Sequence, residues 1–429
     1  MRFYLEVLGC PKNLYDAQFL VDYLLKKGFE FTFNPEDADF IIVSTCTFIE
    51  PATRESIERI IELGEIKRGK LFVTGCMPER YRENLLRELP EIDGIMGTCK
   101  VEKIDELLSG KRAVFGKKGF LPAWIPENLL TPPHYVYIKI SEGCSHRCSF
   151  CIIPSLKGKY RSRRMEDILH EIGELPPDVR EIILVGQDTS KWGKELGLSP
   201  ERLLEEISKI FHGWIRVMYL HPLTVDEELL KCIRDFTVGY VDIPFQHVSD
   251  RVLKSMRRGY GRRRIEKILE VCKKLGLCIR TTFIVGYPEE TERDFEELKK
   301  FLEDAEFDRV GFFMYYHEEG TYAERNLPDL PLRVKRERKR EVERIQEGIM
   351  RKKHRELVGR VFDVLVDGIK GKRGVGRTRM DAPDIDCEVK IDGEVEIGEF
   401  YRVEITGGSA FTLYGRLREE GDKATTPAT

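Results

Sequence analysis

No apolar run in the 429 residues approaches the length that crosses a membrane, so the sequence offers no spanning helix. Cysteine is sparse: eleven in a chain this long cannot make a disulfide scaffold, and their spacing points to metal binding in a reducing compartment. The N-terminal residues Met1 to Glu6 run straight into a strand pattern with no secretory signal, which predicts a cytoplasmic protein. A large charge of one sign is missing too. The net charge of −3 gives no sign of a nucleic-acid polycation, so any asymmetry must be local to one domain. What is present is globular. Hydrophobic residues at 41% supply cores, and the length asks for two or three domains.

The cysteines are grouped. Cys144, Cys148 and Cys151 form a C-x-x-x-C-x-x-C loop directly after the apolar run Tyr135–Ile140. Thiolates are soft ligands suited to zinc or iron–sulfur clusters, and three of them leave one metal position open for a substrate or cofactor. A structural zinc site is the competing reading, but it needs a fourth ligand. His146 is the only local candidate and is squeezed between two of the cysteines.

Upstream, strand patterns at Phe3–Leu8, Phe40–Ser44, Leu71–Thr74 and Gly94–Met96 alternate with helical patterns at Leu14–Lys27, Pro51–Leu63, Pro78–Leu89 and Val101–Leu108. This alternation predicts an open parallel α/β sheet, in which ligands bind at the carboxyl ends of the strands. Cys10, Cys46 and Cys76 each follow one of the first three strands. A lone cysteine at a strand end is usually a small buried hydrophobe. Three at equivalent ends predict a second three-thiolate site, with Cys99 a bystander near a helix start. The stretch Lys111–Pro133, rich in Gly and Pro, reads as a linker.

Between Tyr135 and Tyr316 six β/α repeats predict a partial or irregular (β/α) barrel, whose chemistry would sit in the loops after the strands. Those loops carry the cysteine motif, Gly186-Gln187-Asp188, His221-Pro222, Gln246-His247, Gly286 to Glu290 and His317 to Gly320. Each has a bland explanation as turn punctuation or a satisfied polar group. Together they line one rim.

The three-cysteine loop with Phe150 before its last cysteine, opening a six-repeat β/α domain, resembles the radical S-adenosylmethionine enzymes. Preceded by a three-cysteine α/β domain, it is similar to the methylthiotransferases over nearly the whole chain. The strings are Gly9 to Asn13, Arg161-Ser162-Arg163, Arg216 to Pro222, Asp242 to His247 and Thr282 to Pro288. They look most like the branch that modifies an aspartate of the small-subunit ribosomal protein S-twelve. The tRNA-modifying relatives usually carry Gly-Cys-Gln-Met-Asn where this chain has Gly9-Cys10-Pro11-Lys12-Asn13. Glu289 stands where the family commonly has Gly, which affects the shape of that turn.

The resemblance implies two 4Fe-4S clusters. Cys144, Cys148 and Cys151 would hold one, whose open iron binds S-adenosylmethionine for reductive cleavage to a 5′-deoxyadenosyl radical. Cys10, Cys46 and Cys76 would hold an auxiliary cluster carrying the sulfur. One S-adenosylmethionine would methylate that sulfur and a second would supply the radical. Contacts to S-adenosylmethionine would come from Phe150, Gly186, Gln187, Asp188, Gln246, Arg280 and Gly286, the last by letting backbone approach the nucleoside. The implied partners are that ribosomal protein or the ribosome, a flavodoxin- or ferredoxin-type reductant and a sulfur donor.

Downstream, Arg333–Leu357 is a helix with eleven Lys or Arg against five Glu, read as a solvated connector or an RNA-facing surface. Short β runs from Arg360 to Leu417 predict a small closed antiparallel barrel resembling the TRAM domain. Lys370, Lys372, Arg373, Arg377 and Arg379 read as a basic hairpin. Nine acidic residues in Asp381–Glu404 read as an acidic face that attracts a basic protein substrate. The expected units are 1–115, a linker at 116–133, a barrel at 134–330, a helix at 331–357, a TRAM-like barrel at 358–418 and a polar, disordered tail at 419–429. Two other functions stay open on the sequence: the same chemistry on a tRNA adenosine, and a non-catalytic iron–sulfur protein that binds RNA.

Overall fold

The computed structural model describes residues 1–122 and 124–418, so the tail at 419–429 lies outside the described residues. Strands β1 (Arg2–Val7), β2 (Glu30–Phe31), β3 (Phe40–Thr45), β4 (Lys70–Gly75), β5 (Gly94–Met96) and β6 (Ala113–Val114) form one sheet in the order β2-β1-β3-β4-β5-β6. Its pairs are all parallel. β3 is buried along its whole length, as a strand covered by helices on both faces must be. The edge strands β2 and β6 are two residues each, too short to leave a period in the sequence. Strand order reverses between β1 and β3, and the crevice at such a switch point is where open α/β sheets bind ligands. Cys10 and Cys46 stand there.

The second sheet contains β7 (Tyr135–Lys139), then β10 (Glu181–Val185), β11 (Trp214–Val217), β12 (Tyr240–Asp242), β13 (Cys278–Val285) and β14 (Arg309–Met314). Between β7 and β10 a small antiparallel ribbon, β8 (Ser141–Glu142) with β9 (Arg161–Ser162), frames the cysteine loop. The six long-range partners run parallel in the order β14-β13-β12-β11-β10-β7, a partial barrel. Its outer face packs Ile182, Ile215, Val241, Ile279 and Phe283 against Ile168, Leu203, Ile207, Leu229 and Leu298 of the surrounding helices. Its inner face is different in kind, carrying tyrosines and charged residues.

The helix Pro11–Lys26 joins the two sheets. Its Tyr15 hydroxyl is 3.0 Å from Glu171 and accepts from Arg163 at 2.9 Å, while Asp16 accepts from Lys139 and Lys157. On the opposite side, Arg80 pairs with Glu318 at 2.8 Å.

β15 (Val361–Lys370), β16 (Arg373–Thr378), β17 (Glu388–Asp392), β18 (Phe400–Gly408) and β19 (Thr412–Leu417) close into a barrel. Its pairs are antiparallel except β17–β19, which is parallel. This barrel plugs the amino-terminal ends of the second sheet, and its charges are spent there. Arg377 is buried against Glu181 (2.6 Å) and Asp367 (2.8 Å), so it does not belong to an exposed basic hairpin. Asp381 pairs with buried Arg309 and Asp386 with Arg280, so the acidic stretch is not one exposed face either. Counting charge along a chain cannot see such pairings.

The helix Leu332–Glu356 is also more than a solvated connector. Lys335, Arg338, Val342, Gln346, Ile349 and Met350 are buried where it packs on β14 and the helix Glu292–Ala305. Among the described residues no helix is long and apolar enough to cross a membrane.

Candidate active site between two cysteine triads

The first triad is assembled by backbone. Cys10 is the N-cap of the helix Pro11–Lys26, and Pro11 fits the first helical turn because its missing N–H would have no partner there. Gly9 has φ +95°, and a Cβ at that position would overlap Cys46, so only glycine lets the end of β1 lie against that cysteine. Asn13 donates to the carbonyls of Leu8 (2.7 Å) and Thr45 (3.3 Å), tying β1 to β3. Thr45 Oγ1 donates to Thr74 O at 2.6 Å, tying β3 to β4, and Gly75 with φ +95° turns the chain into Cys76. The three thiols of this triad thereby share one crevice.

Burial pushes the Cys46 thiol up to about 11, with Cys10 adding to the effect. Burial likewise pushes Cys76 up to about 12, and Cys46 and Cys10 are among the charges it feels. A thiol so disfavoured as a free anion ionises when a metal takes its charge. The set therefore fits an iron–sulfur cluster with three protein ligands and does not fit an activated nucleophile. Cys99 is apart: its thiol is raised to about 11 by burial and by Glu79, and it packs with Val101 and Ile104.

The second triad is held by side chains. Cys144 is raised to about 11 by burial, and burial with Cys148 raises Cys151. Arg258 donates to Cys148 Sγ at 3.2 Å and is itself fixed by Pro244 O and Tyr260. Sequence reasoning missed Arg258, although Arg257-Arg258-Gly259-Tyr260 beyond a strand-end helix was a visible signal. His146 is anchored: its Nε2 lies 2.7 Å from Asp188 Oδ2, and its ring stacks on His221 at 3.8 Å. The ligand atoms of His146, Asp188 and His221 all lie within 4.8 Å of one another, the one such compact group among the described residues. Burial and Arg258 keep His221 neutral. Asp188 also accepts from Ser190 and Thr224, so its carboxylate braces the cysteine loop from β10.

The other residues named from sequence fall into two groups. Gly186 abuts Ser141 so closely that no side chain fits. Gln187 donates to Glu142 at 3.0 Å, and Gln246 holds a left-handed φ of +71°, a strained conformation that clusters at functional sites. Phe150 packs with Val252, Met256, Tyr287 and Tyr315. Gly286 and Arg280 are otherwise occupied. The stem of Lys335 fills the space over Gly286, and Arg280 pairs with Asp242 (3.0 Å) and Asp386 (3.3 Å). Only glycine at position 286 leaves room for that lysine stem.

Four buried polar atoms without a hydrogen-bond partner stand at the carboxyl ends of the second sheet: Ser141 Oγ, Gln187 Oε1, His221 Nε2 and Gln246 Oε1. Such atoms demand a partner, and a polar ligand with an amine and a carboxylate, as S-adenosylmethionine has, satisfies that demand.

The two triads share a wall. Glu142, two residues before Cys144, is opposed by burial but held down at about 2 by Lys139 and Lys157. Burial also works against the charge on Lys157, yet Glu142, Cys76, Asp16 and Cys10 together raise its pKa well above the ordinary lysine value. One buried ammonium thus feels cysteines of the first triad and the carboxylate beside the second. Lys12 stands in the same wall. Its ammonium lies 3.6 Å over the Tyr219 ring, and its charge, opposed by burial, is favoured by Tyr219, Cys10, Glu142 and Asp242.

Comparison with known proteins agrees with this architecture. Three family models match: the Radical SAM superfamily over residues 138–302, uncharacterized protein family UPF0004 over 2–97, and the TRAM domain over 358–417. The chain is 42% identical to the ribosomal protein uS12 methylthiotransferase RimO of Caldanaerobacter subterraneus over 426 residues, covering 95% of this chain and 98% of that one. It is also 42% identical to the protein of that name from Aquifex aeolicus, covering 97% of each. Among solved structures, the radical S-adenosylmethionine methyltransferase TsrM of Kitasatospora setae is similar in fold, with TM-score 0.56, 16% identity and 73% of each chain covered.

Proposed function

The chain belongs to the RimO family of radical S-adenosylmethionine methylthiotransferases, and from that premise we propose that it methylthiolates the β-carbon of an aspartyl residue in ribosomal protein uS12. The observation that carries the reading is the shared wall: Asp16, on the helix that Cys10 caps, accepts from Lys139 and Lys157, and Lys139 also pairs at 2.8 Å with Glu142, two residues before Cys144. Two cofactor sites that must act on one carbon have to open onto one space.

Within the proposal, Cys144, Cys148 and Cys151 hold the 4Fe-4S cluster that engages S-adenosylmethionine, and Cys10, Cys46 and Cys76 hold the auxiliary cluster. When bound, these groups supply the electron, the hydrogen-abstracting radical and the methylated sulfur. The remaining work falls to the chain. Arg258 and the His146–Asp188 pair fix the cysteine loop against the strand ends, where it would hold the cluster. Gln187 and Gln246 carry unpartnered oxygens that would accept from the cofactor's ammonium, and Phe150 would lie near its adenine. The helix Pro11–Lys26 carries Cys10 at its tip and ion pairs along its side, so the same element bears a ligand and sets the spacing of the two sites. Burial of the lysine–carboxylate wall keeps water out, which strengthens every charge interaction inside.

The units 1–115, 134–330 and 358–418 are assigned to the auxiliary-cluster domain, the radical domain and a TRAM domain that contacts RNA. A flavodoxin- or ferredoxin-type reductant, a separate sulfur donor and a cytoplasmic setting complete the proposal.

The test is anaerobic reconstitution with iron and sulfide, followed by S-adenosylmethionine, reductant and either ribosomes or unmodified tRNA. The expected result is 5′-deoxyadenosine together with a methylthio mass increment on uS12. An increment on tRNA alone would overturn the substrate, and absence of 5′-deoxyadenosine would overturn the radical chemistry.

A further inference from the structure

Lys12 is the one cation of the shared wall that the protein leaves uncommitted. Lys139 pairs with Asp16 and Glu142, and Lys157 reaches Asp16. Among the described residues Lys12 has no ion pair within 4 Å; its ammonium sits over the Tyr219 ring, and Cys10, Glu142 and Asp242 act on it only from farther away. The two acids near it are already engaged. Glu142 accepts from Lys139, Gln187 and the Gly143 N–H. Asp242 accepts from Arg280 and the Tyr219 N–H. A cation over an aromatic face is weaker than a charge-assisted hydrogen bond, so this ammonium keeps its N–H donors free for an anion.

The backbone supports that placement. Tyr219 is not glycine yet holds φ +63°, in the left-handed region. Strain of this kind persists where the surroundings impose it, and it marks sites where a side chain must be aimed. Here it aims the Tyr219 ring under Lys12. Lys12 is also two residues from Cys10 on a helix that begins at that cysteine, so its ammonium is fixed relative to the first triad.

We propose that Lys12 is the specificity-determining residue that receives the carboxylate of the substrate's aspartyl side chain. An aspartate held by its carboxylate presents its β-carbon one bond away, in the space between the two triads. A neutral amide at the same place would leave the ammonium unpaired, so the site would reject asparagine. This inference rests on the uS12 reading above.

The test uses the reconstituted enzyme and two fluorescently labelled peptides spanning the uS12 target segment, one with the native aspartate and one with asparagine. Binding is measured by anisotropy. Wild-type protein is expected to favour the aspartyl peptide by roughly tenfold or more, the scale of one charge-assisted contact. Lys12→Met should bring both affinities to the level of the asparaginyl peptide, and Lys12→Arg, which keeps the charge, should restore part of the preference. Iron content is checked on each variant. Equal affinities of the wild type for the two peptides overturn the proposal without any variant having to fold. A preserved preference in Lys12→Met overturns it too, while methylthiolation of uS12 by the wild type leaves the function standing. If ribosomes acquire no methylthio group and tRNA does, the function reading fails and Lys12's role fails with it.

Discussion

The two ends of the partial barrel teach opposite lessons about buried charge. At the amino-terminal end, where the C-terminal barrel is seated, acids and arginines find one another: Glu181 with Arg216 and Arg377, Asp381 with Arg309, Asp386 with Arg280. Buried atoms without a hydrogen-bond partner occur at both ends, Arg216 Nη2 and Arg309 Nη2 at the first and Ser141 Oγ, Gln187 Oε1, His221 Nε2 and Gln246 Oε1 at the second, carboxyl-terminal end. The ends differ in that the first pairs its arginines with acids, whereas Lys12 at the second has no ion pair among the described residues. The first end pairs its cations within the protein, and the second leaves Lys12 to pair with something else. A buried pair is expensive to break because the survivor stays charged in a dry place, whereas an unfinished site is cheap to alter in stability and costly in function.

That contrast can be broken most severely at the cysteines. Cys144→Ala should abolish 5′-deoxyadenosine formation, assayed by chromatography, while Cys46→Ala should retain it and lose transfer of the methylthio group. Each variant should keep about half the iron, since each triad would hold one of two equal clusters. Retained methylthiolation in Cys46→Ala would overturn the role of the first triad.

Gly9→Ala probes the same end through the backbone. A Cβ there collides with Cys46 and strains a φ of +95°, so the ends of β1 and β3 must separate. The expected result is loss of the iron held near Cys10, with the Cys144 site still loaded. Full iron content would show that the crevice tolerates the side chain.

At the other end the readout changes to stability. Arg309→Met leaves Asp381 buried without its cation and should cost about 3–5 kcal/mol in urea unfolding, with iron content unaffected. A loss below about 1 kcal/mol would mean water reaches that pair and the two ends are not so different.

The smallest effect is a pH dependence beside the same plug. His354 bonds Ser409 O at 2.6 Å, and burial lowers its pKa below the ordinary 6.5 despite that bond. The unfolded chain therefore binds the proton more readily than the folded one. Stability is full above about pH 6.5 and is lost as pH falls below it, by the sign of the linkage relation. His354→Gln should flatten that loss between pH 7 and 5, measured as the shift in melting temperature.

Much of this was legible in the chain because it is carried by local rules. The β/α alternation gave both sheets, since period-2 and period-3.6 patterns are written residue by residue, and the positions of the cysteines after strands marked both candidate triads. Less legible were features set by partners distant in sequence. Arg258 reaches Cys148 across more than a hundred residues, and Lys335 fills the space over Gly286 from a helix that looked like a solvated connector. Arg377 and Asp381 read as surface charge because their partners, Glu181 and Arg309, lie in the second sheet, far away in sequence.

The sequence by itself determined the elements, the six cysteines and the chemistry those ligands can support, because ligand type and strand-end position are properties of short segments. Only the tertiary structure decided which charges are spent and which are held in reserve. Pairing depends on what the fold brings within about 4 Å, the reach of a strong ion pair. That is why Lys139, Lys157 and Lys12, indistinguishable as letters, become two bolts of a wall and one open hand.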